Sequence, residues 1–479
     1  MPRGSLLDCA GGNRISMAGS RTVNMTEGSP IRLLTTFAFP LLIGNLFQQA
    51  YNLADSMIVG QYLGANALGA VGATGSISFL FFSLCNGISS GGGIVTSQFF
   101  GAGDDLRVRK AIINSAYLMA VSSLLMSMIS FLLTPTALGL MGTPADILPD
   151  AVTYMRMTCI SVPLIGVYNY ASSMLRALGD SRTPLIFLIV ACFLNVIMDI
   201  LCVRYLGLGV FGAALATMIA QLIAGVGCLV YALRHNPYFR VERKYMRPDK
   251  AILLRAARLG LPLALQWSLI AVSTTALQTF VNSFGTTAVA SFTATNRIEQ
   301  LVQQPFGSLG MAMSTFAGQN LGAGKNERIR QGLRVCIRMV LVFALIMLAV
   351  MQTFGEDIMR FFVSEPEVIA MGGHALKLTS LFYFFLGMIY IPRSTLNGVG
   401  DALFSFMNGI VEVTGRIVFP FLLVMIPGVG VWSIWWTAGL TWVIASAVCI
   451  ARYRYWCRKH MPPAAPKARG LRRLAHSAV

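Results

Sequence analysis

Charge is what this chain has least of. Only 12% of its 479 residues are charged, about half the fraction of an ordinary soluble domain. Against that, 55% are hydrophobic and the mean hydropathy is +0.67, which excludes a soluble globular class. Acids are scarcer than bases, 19 against 37, for a net charge of +18. The basic residues fall in short loops and tails, where they set membrane topology, so no nucleic-acid partner is expected. The nine cysteines show no CxxC or metal-ligand spacing and mostly sit inside apolar runs, as small packing residues. Of four histidines only His374 lies near an apolar span. Period-two strands are missing as well, which disfavours a barrel. There is no clustered His, Asp and Ser constellation at one membrane face and no ring of like charges. Neither an enzyme nor a channel filter is expected. The first thirty residues hold no compact apolar core before a cleavage site, so a signal peptide is not expected either.

What the chain does have is long apolar runs, each able to cross a hydrocarbon core of about 30 Å. They fall at about 33–61, 67–98, 111–134, 151–176, 183–204, 208–233, 253–284, 287–319, 330–355, 366–396, 403–426 and 429–453. Loops after even-numbered spans are basic, with Arg107, Arg109 and Lys110 after the second and Lys325 and Arg328 after the eighth. Loops after odd-numbered spans hold almost no Lys or Arg. The positive-inside rule then puts both termini in the cytoplasm of a multi-pass protein of the cell (inner) membrane.

The chain is also duplicated. QFFGAG at 98–103 recurs as QNLGAG at 319–324, an offset of 221. The same offset links Gly64 to Gly285, Gly179-Asp180 to Gly400-Asp401, and Gly207 and Gly209 to Gly428 and Gly430. Each copy spans six helices, an even number, so the copies run parallel and are related by an axis along the membrane normal. The expected fold is an all-α polytopic membrane protein, with twelve transmembrane helices in two six-helix bundles related by pseudo-two-fold symmetry. Its parts are a tail (1–32), an N-lobe (33–233), a basic linker (234–252), a C-lobe (253–455) and a second basic tail (456–479).

Ionisable residues inside such spans are costly, about 2.5–3.5 kcal/mol on insertion scales, and tend to be functional. Asp55 stands in the first span, fifteen residues after Pro40, where a missing backbone hydrogen bond allows a bend. Asn195 and Asp199 are four apart on one face of the fifth span, and Thr217 lies on the sixth. Glu412 and Arg416 have the spacing of an ion pair within the eleventh. The GAG turns read as tight turns and not phosphate loops, since no lysine-serine follows them.

Pro40 and Asp55, the run QxxYNLADSMIVGQYLG, the paired GAG turns, RALGD against LNGVGD and NxxxD together resemble the multidrug and toxic compound extrusion (MATE) family over roughly residues 30–455. The resemblance implies a secondary antiporter that exports organic, often cationic compounds while H⁺ or Na⁺ runs inward by alternating access. No enzymatic activity and no cofactor beyond the coupling ion are implied. The partners implied are small organic substrates, the ion and the bilayer, for a chain expected as a monomer. The family's cation site falls on Asp55, Asn195, Asp199 and Thr217, hard oxygen ligands suited to H⁺ or Na⁺. Substrate would meet Tyr51, Gln266, Trp267, Gln278, Asn282, Gln303 and Met311 in a central cleft, with Phe81 and Met313 as further apolar surface. The second lobe departs from the family pattern. Gln266-Trp267 stands where some members carry Glu-Trp, and the tenth span, YFFLGMIYIPRS, holds no acid. The alternative reading is a lipid-linked oligosaccharide flippase of the same superfamily, which would carry several arginines in its helices.

Overall fold

The structure, a computed structural model, describes residues 22–240 and 242–461. Every regular element among them is helical. The elements are α1 (Pro30–Gly101), α2 (Asp105–Leu140), α3 (Leu148–Ala177), α4 (Arg182–Asp199) with a π-helical extension (Ile200–Tyr205), α5 (Gly209–His235), α6 (Lys250–Asn282), α7 (Thr286–Gly322), α8 (Asn326–Arg360), α9 (Pro366–Ser380), α10 (Tyr383–Gly398), α11 (Ala402–Val424) and α12 (Ser433–His460).

Two expected boundaries differ. The first two spans run on as one 72-residue helix, α1, in which only Gly64 leaves helical geometry, at φ 86° and ψ −176°. The tenth span is instead broken into α9 and α10, which meet at 51°. With α1 counted as two spans, Pro30–Gly75 and Ile77–Gly101, ten helical spans among the described residues are long and apolar enough to cross a membrane, and the bent pair makes eleven. The twelfth span is α7, long enough at 37 residues but diluted by Arg297, Glu299, Gln300, Gln303 and Gln304.

The glycines carry the duplication into three dimensions. Gly285 repeats Gly64 at φ 86° and ψ 178°. Gly103 and Gly324 (φ 71° and 69°), Gly179 and Gly400 (88° and 95°), Gly207 and Gly428, and Gly209 and Gly430 are likewise all left-handed. Such φ values exclude most side chains, so the matched glycines mark matched turns. Asp104 caps α2 by accepting from the Arg107 N–H (2.9 Å), Asp249 caps α6, and Asp180 accepts from the Arg182 and Thr183 N–H groups at the start of α4.

The packing follows the repeat. Helices α1 to α5 form one bundle and α6 to α12 the other, with α1 lying against α6 and α7 at the seam. Small residues allow that approach: a Cβ on Gly87 would meet the backbone of Ala264 at 2.4 Å, and one on Gly91 the Ala256 carbonyl at 2.4 Å. Hydrogen bonds cross the seam from mid-span, where Ser83 meets Ser268 (3.2 Å) and Asn45 donates to Ser308 (3.1 Å), to the basic end. There Tyr117 donates to the Met246 carbonyl (2.7 Å) and Lys325 to that of Thr26 (3.0 Å). Toward Gly64, midway along α1 and away from the basic end, Leu53 and Met57 are exposed. Seven of the eight described cysteines are buried, and all eight are unbridged, as packing residues should be.

Candidate functional site

Three helices of the first bundle, α1, α4 and α5, bring the expected cation ligands together. Asn195 and Asp199 project from the last turns of α4 and are almost completely buried. With its amide oriented by its neighbours, Asn195 donates to Asp199 Oδ2 (2.9 Å) and accepts from the Thr217 hydroxyl on α5 (3.2 Å). The carboxyl groups of Asp55, on α1, and Asp199 lie within hydrogen-bonding reach of each other. One oxygen of each, Oδ1, is buried with no hydrogen-bond partner. Directly after Asp199 the backbone loosens into π-helix, a distortion that often accompanies functional positions.

Two tyrosines complete the cluster. The Tyr51 hydroxyl lies against Thr217, one turn of α1 before Asp55, and Tyr154 of α3 borders the carboxyl pair. Tyr51 was expected in the substrate cleft; the structure puts it with the cation ligands. Tyr154 escaped sequence reading because a tyrosine in an apolar span signals nothing alone. Two carboxylates this close repel strongly in a low-dielectric interior unless a proton or a cation sits between them. Chemically, the cluster can hold one small monovalent cation.

The expected cleft residues are scattered. Gln278 donates to Asn282 (3.0 Å), and Tyr390 donates to Gln303 (3.1 Å). Gln266 is buried against Gly409 of α11, while Trp267 and Met311 are exposed, and Phe81 and Met313 are buried packing residues. A cavity of about 1270 Å³ lies elsewhere, between the first turns of α1 and α4 and the helices α7 and α8. Arg32, Phe37, Pro40, Arg182, Leu309 and Phe343 are among its lining residues; none of the expected cation or cleft residues is among them.

The pairing expected inside α11 is not formed. Glu412 Oε1 accepts from Arg393 of α10 (2.7 Å) and from Asn408 (3.3 Å), while Arg416 donates to Ser273 of α6 (3.0 Å). A buried carboxylate took the bidding of a guanidinium across the helix interface in preference to one a turn away. Helical spacing cannot reveal such a partner.

The MatE family pattern matches this chain twice, over residues 40–201 and 262–422, once in each bundle. The chain belongs to the MATE family. Among curated relatives, this MATE transporter is similar to the probable multidrug resistance protein YpnP of Bacillus subtilis, with 29% identity over 91% of this chain and 97% of that one. It is also similar to the multidrug export protein MepA of Staphylococcus haemolyticus, with 23% identity over 88% and 92%. Among solved structures, a MOP superfamily transporter from Pyrococcus furiosus superposes with a TM-score of 0.87 at 22% identity, covering 93% of this chain and 99% of that one. The MATE fold, its transport class and its place in a membrane are thereby established; it is not an enzyme.

Proposed function

We propose that this transporter exports small organic compounds, cationic ones among them, in exchange for inward H⁺ or Na⁺. The observation that carries the reading is the facing of Asp55 and Asp199, each with a buried oxygen that has no partner. The drug-exporting names of its relatives support the substrate class. Everything in the cluster comes from one bundle, so we read the working unit as a monomer.

Bonded from mid-span to the basic end, the bundles are closed on the side that the positive-inside rule assigns to the cytoplasm, together with both termini. This is the outward-open member of an alternating-access pair. From that side Asp55 and Asp199 take up the ion. Its later discharge brings back the repulsion between the two carboxylates, and α1 is the element free to relieve it. Pro40 cannot donate to the Thr36 carbonyl one turn earlier, and both residues border the cavity of about 1270 Å³, which gives that part of α1 room to bend.

The flippase reading draws less support. Of the arginines inside the C-terminal bundle, Arg393 is held by Glu412 and Arg416 is bonded to Ser273, so neither is free for a lipid phosphate. The deciding measurement is drug uptake into everted vesicles by Asp55→Asn, with the imposed pH gradient and the imposed Na⁺ gradient tested separately. Uptake should vanish under whichever gradient drives the wild type; unchanged uptake would sink the coupling role.

A further inference from the structure

The cavity beside α1 is charged at one end and apolar beyond it. Arg32, in the first turn of α1, and Arg182, the first residue of α4, both line it. Both are exposed, and neither guanidinium has an ion pair or a hydrogen bond among the described residues. Asp180 is the one acid among the lining residues, and it is engaged locally. Its carboxylate accepts from the Arg182 and Thr183 N–H groups and from the Thr183 hydroxyl (2.6 Å). The mouth therefore keeps a net positive charge, and the positive poles of the α1 and α4 dipoles lie at the same end. Two unpaired guanidiniums there call for an anion whose oxygens accept from them.

What lies behind the mouth decides which anion. Phe39 is seven residues after Arg32 and Ile186 four after Arg182, so they sit about 10 Å and about 6 Å deeper along their helices. Both line the cavity and are exposed, which opens its flank to hydrocarbon at a depth where a bilayer holds no water. The far wall, with Leu309 of α7 and Met339 and Phe343 of α8, is apolar as well. At about 1270 Å³ the space exceeds the roughly 300–1,000 Å³ that suits a drug-sized ligand. A small soluble anion would leave it empty, whereas a phosphodiester with acyl chains matches charge to charge and chain to apolar wall. Fluid hydrocarbon is looser than a packed protein interior, so chains fill the room beside Pro40 and still yield when α1 bends. No further Arg or Lys follows Arg32 in α1 or Arg182 in α4. Nothing positive leads a head group across the membrane along these helices, so the lipid is resident and not cargo.

We infer that this cavity binds an anionic phospholipid of the leaflet at the basic end, with Arg32 and Arg182 on its phosphate and the apolar walls around its acyl chains. Basic pockets between transmembrane helices hold anionic head groups in this way. The inference goes beyond the antiport reading and involves neither the coupling ion nor the exported compound.

The test uses the purified full-length protein in a neutral detergent. Dioleoyl phosphatidylglycerol should raise its unfolding temperature saturably, whereas dioleoyl phosphatidylcholine and inorganic phosphate at the same concentrations should not. Arg32→Gln with Arg182→Gln should weaken the phosphatidylglycerol response about tenfold, read as the lipid concentration at half effect. Arg454→Gln with Arg458→Gln, which removes the same charge from exposed positions of α12, should leave it unchanged. A phosphatidylglycerol with a diazirine in one acyl chain should label the α8 peptide holding Met339 and Phe343 in the wild type, a readout that needs no variant to fold. If inorganic phosphate stabilises as well as the lipid, the site takes a soluble anion. If the α12 pair weakens the response equally, the attraction is a diffuse one of the whole basic end. Either result would overturn the inference, as would a wild-type response from the Arg32 and Arg182 variant or a missing α8 label.

Discussion

Gln98 and Gln319 stand 221 residues apart and make the same bond to opposite bundles. Gln98 Nε2 donates to the Gly398 carbonyl at 2.9 Å, and Gln319 Nε2 donates to the Ala177 carbonyl at 2.9 Å; those two carbonyls are themselves 221 residues apart. Each amide oxygen also accepts, Gln98 from Arg255 and Gln319 from the Met25 N–H. The pseudo-two-fold axis thus passes through a clasp of reciprocal hydrogen bonds at the basic end of the seam. Alternating access requires the clasp to open.

Weakening the clasp should therefore favour the inward-open state without touching the Asp55–Asp199 cluster. Replacing both glutamines by leucine removes the two reciprocal bonds, worth about 1 kcal/mol each, together with the two that their amide oxygens accept, a shift of roughly tenfold or more in the equilibrium between the states. A cysteine at Ser268, midway along the seam, should then react faster with a membrane-impermeant maleimide applied from the basic side. Unchanged labelling in the double variant would show that the clasp does not hold the gate.

The glycines beside the clasp give a steric version of the same test. A Cβ at Gly101 would lie 1.9 Å from the Gln319 carbonyl oxygen, and one at Gly322 would lie 1.9 Å from that of Gln98. Both obstacles are backbone atoms that cannot rotate away. Gly101→Ala and Gly322→Ala should each push the bundles apart and raise labelling at Ser268→Cys to similar extents. Gly103→Ala is a poor control because its backbone is left-handed; Gly75→Ala, with open space around it, should be silent.

How much of this was legible in the residues depends on how local each signal is. Gly64 and Gly285 announce the repeat because their backbone geometry admits little else, and QxxGAG repeats because the clasp uses glutamine and glycine together. Asn195 and Asp199 share a helix face, so four-residue spacing finds them. Glu412 and Arg416 obey the same spacing, yet Glu412 bonds to Arg393 across helices, a relation that no window on one helix contains. Glu299, an acid inside α7, was passed over, and the break between α9 and α10 was not foreseen, since apolar Leu381 and Phe382 give no warning of it. Tyr51 was read as a cleft residue and its place beside Thr217 went unseen, since rotation of α1 about its axis decides which way it points.

The Arg393–Glu412 pair should be a stability element separable from transport. Both side chains are buried and meet at 2.7 Å. Removing one partner leaves an uncompensated buried charge, at a cost of about 3–5 kcal/mol, so Glu412→Ala should sharply lower the unfolding temperature in detergent. Replacing both by apolar residues of similar size, Arg393→Met with Glu412→Leu, should recover most of the loss. Arg416→Lys, which keeps a charge on Ser273, should cost far less than Glu412→Ala. A larger loss for Arg416→Lys would restore the pairing expected from spacing within α11.

Pro40 and the cavity beside it offer the last test, because flexibility and free space make opposite demands. Pro40→Ala restores the backbone bond to Thr36 and stiffens α1, so transport should slow while cation binding at Asp55 and Asp199 is retained. Filling the cavity leaves the proline in place and removes the room into which the helix bends. Leu309→Trp, on the α7 wall, should then slow turnover with the same signature: bound cation unchanged, exchange rate reduced. Cation binding in proteoliposomes, measured alongside the rate of drug uptake, separates the two quantities. If Leu309→Trp turned over at the wild-type rate in a folded protein, α1 would not use that space, and the discharge of Asp55 would have to act on the seam by another route.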